Sequence, residues 1–280
     1  MKYTLTLLVL ALTFNCGKNE EKDPEKTWVD VENRIASYEQ QIYKVQDSFG
    51  YVGTRCDSAT FSSLLSAFSN VTIDFQLIEK QPGKWVRHPS PCYPDHSKSE
   101  TSLDVYLMQL HRLLSSSDKA GALRDIKEII DYGTSNYWVM GEGAEELTNI
   151  SALVPLIYKL ESKLEGESLK LTGFDEDPIL KGHKPHITAF FTLLNTRING
   201  YALDIELALF DVLAIDSPRN PYFEAMRLRY RDGNLDKLRD ILLNDFGDDL
   251  PLETNCYTWG SNPCAVTAIA SYGIAMRRGG

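Results

Sequence analysis

HITAFFTLLNTRI (residues 186–198) and YALDIELALFDVLA (201–214), joined by Asn199-Gly200, are followed beyond Pro218 by PYFEAMRLRYR (221–231), Asp232-Gly233 and NLDKLRDILLNDF (234–246). In each run the apolar residues recur at helical rather than strand spacing. Each Gly falls between two runs, where a helix end needs a residue free of Cβ constraint. The stretch therefore predicts two helical hairpins. Pro185, Pro218 and Pro251 are 33 residues apart, as are Gly200 and Gly233, which suggests a repeat.

Working upstream, Ile150 to Leu164 predicts a helix ending at Gly166, although Gly173, Pro178 and Gly182 interrupt what would be its partner. Leu123-Arg124-Asp125-Ile126 echoes Leu238-Arg239-Asp240-Ile241, and with a helix over 101–115 it forms a further helical pair. Over residues 186–251 the chain resembles the tetratricopeptide repeat family, stacked helix-turn-helix units of about 34 residues. Tyr222 and Gly233 match that pattern; Met226, Leu238 and Asp245 stand where it places small residues. The expected fold is mainly α, with helical hairpins stacked as a short repeat or packed as an irregular bundle. The resemblance implies a groove lined by the first helix of each unit, which here would present Phe223, Arg227, Tyr230 and Arg231, with Arg197 from the preceding unit. Arginines with aromatic covers suit an acidic or C-terminal peptide segment. Pairing of these arginines with Glu224, Asp232 and Asp236 is the alternative use of the same charges.

Towards the N-terminus, Trp28, Val31, Ile35, Tyr38, Ile42, Val45 and Phe49 alternate at spacings of three and four, a heptad seam that predicts a helix from about Thr27 to Gly50. Alternation of Val71, Ile73, Phe75 and Leu77 with polar residues, then Pro82-Gly83 and a short second run, predicts one small β-hairpin near residues 71–88. Residues 89–99 are a Pro-rich loop.

The chain opens with one Lys and an uncharged apolar run from Tyr3 to Phe14, too short to span a bilayer, followed by Cys16, Gly17 and a polar stretch. This resembles a bacterial lipoprotein signal. The resemblance implies that residues 1–15 are removed, that Cys16 is lipidated, that 16–26 form a tether, and that the protein sits in the cell envelope on the extracytoplasmic side, at the outer membrane rather than the inner. Residues 27–100 then form a helix plus β-hairpin region and 101–280 a helical-hairpin region. With Cys16 set aside, four Cys remain, an even number suited to an oxidising compartment. Cys256 and Cys264 bracket the turn formers Gly260, Ser261, Asn262 and Pro263, which favours their pairing and leaves Cys56 with Cys92. Four Cys allow three connectivities.

The formal net charge of −10, which becomes −11 without the single Lys of residues 1–15, excludes the phosphate neutralisation that nucleic-acid binding needs. Asp232, Asn234 and Asp236 begin a calcium-loop pattern, but Lys237 and Leu243 occupy positions that require Gly and Glu. His183 with His186, and His88 with Cys92 and His96, have zinc-like spacing without a local fourth ligand. Ser116-Ser117-Asp118-Lys119 matches an acyl-enzyme motif whose K-T-G partner is missing, and it reads as a helix cap. No cofactor or metal is expected. The reading that results is a membrane-anchored interaction or assembly module for a protein or acidic peptide. The alternative is an extracytoplasmic hydrolase built on carboxylates such as Glu142 with Glu145 or Glu146.

Overall fold

The computed structural model describes residues 27–53, 56–93, 99–140, 148–167, 185–231, 235–246 and 264–276. Its helices, in order, are α1 (Trp28–Gln41), α2 (Ser58–Phe68), α3 (Leu103–Ser115), α4 (Lys119–Ser135), α5 (Val154–Glu165), α6 (Pro185–Asn199), α7 (Asp204–Asp216), α8 (Pro221–Tyr230), α9 (Asp236–Asn244) and α10 (Cys264–Met276). Strands β1 (Glu79–Gln81) and β2 (Lys84–Trp85) form an antiparallel hairpin between α2 and α3, with Glu79 opposite Trp85 and Gln81 opposite Lys84. A second antiparallel pair, β3 (Val139–Met140) and β4 (Thr148–Asn149), follows α4. The fold is mainly α with a small β-hairpin, as the sequence pattern predicts.

Helix ends follow from local chemistry. Ser102 accepts from Val105 N at the start of α3, Asp118 from Gly121 N at the start of α4, and Asn220 from Tyr222 N at the start of α8. Asp118-Lys119 is thus a helix start, in keeping with the cap reading of its motif. Gly166 closes α5 in the left-handed region at φ 75°, a conformation that suits Gly.

The heptad seam holds only in part. Val31, Ile35 and Tyr38 are buried on α1, but the helix stops at Gln41 and continues as a 3₁₀ turn over Ile42–Val45. Asp47 then organises the chain by accepting from Phe49 N and Tyr51 N, so Phe49 ends up exposed. The strand expected at 71–77 likewise gives way to a loop and a 3₁₀ turn, because Asp74 accepts from Gln76 N and bends the backbone.

Helices α2, α3, α6, α8 and α10 form the interior. Every residue of α2 except Ser66 is buried, as are most of α8 and α10; α10 is apolar on nearly all sides, whereas α2 buries hydroxyls that bond back to its own backbone, as Ser63 does to the Ala59 carbonyl. Helix α10 packs against α2, α8 and α1, while α3 packs against both α2 and α6. At the α10–α2 crossing, a Cβ on Gly273 would collide with the Phe68 carbonyl oxygen. Contacts between helices so distant in sequence make this an irregular bundle, since in a linear repeat each unit touches only its neighbours. Helices α5 and α6 also run side by side in the same direction, with Lys159 bonded to Asn195 and Lys163 bonded to the carbonyls of Arg197 and Ile198. The outer helices are α1, α4, α5, α7 and α9. Arg34 of α1 donates to the carbonyls of Leu243 and Phe246 at 2.7 and 2.6 Å, tying α1 to the end of α9. No helix among the described residues is long and apolar enough to cross a membrane.

Candidate functional site

The groove implied by the repeat resemblance does not form from the residues assigned to it. Arg197 is 4% exposed and Phe223 3%, so neither meets solvent. Arg197 sits in the core, donating to Nδ1 of His111 at 2.9 Å and to Oγ of Ser115 at 2.6 Å, with its guanidinium over the Phe68 ring. Burial pushes its pKa down to about 9, with the charge of Arg229 as a second cause. Phe68 and Ser115 are the last residues of α2 and α3, and Arg197 lies two residues before the end of α6. The negative ends of three helix dipoles therefore surround a cation that has no carboxylate partner among the described residues.

The other assigned residues find partners inside the fold. Arg227 pairs with the buried Glu224, which also receives Lys237 at 2.9 Å. Arg231 pairs with Asp211 at 3.0 Å. The Tyr230 ring stacks on Phe210, and its hydroxyl accepts from Arg229 Nε at 3.2 Å. Local ion pairing thus accounts for Arg227 and Arg231, and packing for Arg197, Phe223 and Tyr230.

Cys56 and Cys92 are free thiols, which corrects the expected disulfide between them. They are nevertheless side by side and hydrogen-bonded, and burial followed by the neighbouring Cys56 pushes the Cys92 thiol well up. Cys92 N and Tyr93 N both donate to the Glu100 carboxylate, at 2.7 and 2.8 Å. Cys264 is disulfide-bonded, whereas Cys256 and Cys16 lie outside the described residues.

Both ring nitrogens of His88 have partners within the fold. Nδ1 lies 2.9 Å from Ser90 N and 3.1 Å from the Ser90 carbonyl oxygen, and Nε2 lies 2.8 Å from Asp47 Oδ2. The pair ties the 42–53 loop to the segment after β2. His96, His183, Asp232, Asn234, Glu142, Glu145 and Glu146 lie outside the described residues. Among the described residues, no group of three or more His, Cys, Asp or Glu is placed to hold a metal.

The surface that stands out is on α7. Glu206 anchors its first turn by accepting from Leu203 N at 2.7 Å and from Asn195 Nδ2 at 2.7 Å, and Phe210, Leu213 and Ala214 bury its inner face against α6 and α8. Outward it presents Ile205, 74% exposed, Val212, 51%, and Ile215, 73%, with exposed Ala208 among them and Tyr201 and Leu203 at the helix start. Ile205, Ala208, Val212 and Ile215 follow one another along α7 at spacings of three, four and three. That is the period of a helix–helix seam. At 1.5 Å per residue, Ile205 to Ile215 makes a stripe about 15 Å long. Asp204, Asp211 and Asp216 border it.

Sequence reasoning missed this face because α7 carries apolar residues on nearly every side, as an interior helix does; the excess of large apolar residues in YALDIELALFDVLAID was the available signal. Comparison with protein families, with curated proteins and with solved structures finds no match to the chain.

Proposed function

We propose that the chain is an interaction or assembly module held by a lipid on Cys16 at the extracytoplasmic face of a bacterial membrane, the outer membrane rather than the inner, and that its docking face is the outer stripe of α7. The observation that carries this reading is a row of large aliphatic side chains, Ile205, Val212 and Ile215, each at least half exposed on an otherwise well-packed bundle. Fully burying one such side chain is worth about 1.5–3 kcal/mol, so an uncovered row is a standing drive for association. The seam period supports a helix as the complementary element. The leader resemblance supports the anchor.

Size of the detergent-extracted protein tests the reading. Wild type should migrate in a complex larger than one chain, and Ile205→Gln/Ile215→Gln should reduce it to the single chain with its circular dichroism unchanged. Migration of wild type as a single chain at every concentration would overturn it.

A further inference from the structure

The stripe on α7 carries information about what covers it, because its borders are charged. Asp204 in the first turn and Asp216 at the last position are both exposed, and neither forms an ion pair among the described residues. Asp211, on the same edge as Asp204, is neutralised by Arg231 at 3.0 Å. The apolar row therefore lies between two uncompensated carboxylates, one near each end, on a chain whose formal charge is −10.

Resting on the docking reading above, we infer that the occupant is an amphipathic helix of another protein, with aliphatic residues at heptad spacing and Lys or Arg beside them. A helix is required by the stripe's length and period, since only a helix presents knobs at alternating three- and four-residue spacing to match it. Basic flanks are required by Asp204 and Asp216, because a carboxylate at the rim of an apolar contact favours a cation opposite and disfavours an anion. The same borders argue against a second copy. Paired with itself, α7 would set an acidic rim against an acidic rim, because DIELALFDVLAID holds no Lys or Arg to face the borders of the other copy.

Two synthetic peptides of 18 residues test this against the full chain by calorimetric titration. Both carry Leu at the heptad seam positions; one has Lys and the other Glu at every flanking position. The Lys peptide should bind at least ten-fold more tightly than the Glu peptide. Ile205→Gln/Ile215→Gln should abolish binding of the Lys peptide, although it leaves the net charge unchanged, and Asp204→Asn/Asp216→Asn should bring the two affinities together. Equal binding of both peptides to wild type would overturn the inference in favour of unselective apolar contact. Undiminished binding of the Lys peptide to the Ile205→Gln/Ile215→Gln protein would overturn it in favour of bulk charge attraction. Binding of neither peptide would end the proposal, and a dimeric chain in that case would assign the stripe to a second copy. A stripe-dependent complex of the extracted protein together with no preference between peptides would remove the basic helix while leaving the docking face in place.

Discussion

The guanidinium of Arg197 donates to Nδ1 of His111 at 2.9 Å inside a core where, among the described residues, neither forms an ion pair with a carboxylate. That bond settles the histidine's tautomer: Nδ1 accepts, so Nε2 carries the proton and donates to the Phe190 carbonyl at 2.9 Å. Phe68 and Phe190 pack against the ring. Burial, then the charge of Arg197, holds the pKa of His111 well below its ordinary value. The unfolded chain therefore binds a proton near pH 6.5 that the folded chain refuses, and the stability associated with neutral His111 is present above that pH and lost as pH falls below it. Guanidinium unfolding between pH 6.5 and 5 should show stability falling by up to about 1.4 kcal/mol per pH unit from this group. His111→Gln, whose amide can still donate to Phe190, should remove that part of the slope, and an unchanged slope would contradict the buried pair.

Gly273 permits the close crossing of α10 over the end of α2. Because a Cβ there meets the Phe68 carbonyl oxygen, which is backbone and cannot rotate away, Gly273→Ala must push α10 off α2. A loss of about 1–3 kcal/mol is expected from such overpacking. Thermal unfolding followed by circular dichroism checks it; a melting temperature equal to wild type would mean that the two helices do not cross there.

The free thiols of Cys56 and Cys92 touch in the folded chain. Exposed to a disulfide oxidant such as oxidised glutathione, they should join, each losing a proton while the oxidant's S–S bond is reduced to two thiols. The bond closes the loop containing β1 and β2 and should add about 2–4 kcal/mol. Non-reducing peptide mapping of the protein treated with oxidised glutathione should then recover the Cys56–Cys92 peptide. Recovery of both as free thiols after that treatment would contradict their contact in the folded chain.

Acylation of Cys16 has its own readout. Cys16→Ser should move the protein from the membrane fraction to the soluble fraction and abolish the mass added by the lipid. Membrane retention with unchanged mass would refute the anchor.

The helical hairpin α6–α7 and the start of α8 were legible because their punctuation is local: Gly200 at φ 82° ends α6, and Asn220-Pro221 starts α8. The heptad from Trp28 correctly marks the face that α1 buries, but the point where the helix yields to a 3₁₀ turn is set by Asp47 collecting the amides of Phe49 and Tyr51, a loop preference that periodicity does not register. Arg197 was assigned to an open groove because a lone Arg on a helix ordinarily seeks water. Its neighbours in HITAFFTLLNTRI are apolar on all sides, and that was the sign of an interior helix carrying its cation inward. The pairing of Arg227 with Glu224 was readable at a spacing of three, whereas that of Arg231 with Asp211 depends on how α7 lies on α8.

Photo-crosslinking in the expressing cells tests the central claim most directly. Benzoylphenylalanine placed at Val212, on the outer stripe, should give one discrete adduct to another protein, identified by mass. The same residue placed at Tyr158, an exposed aromatic on α5, should give none. Equal crosslinking from both positions, or none from Val212, would contradict the assignment of α7 as the docking face.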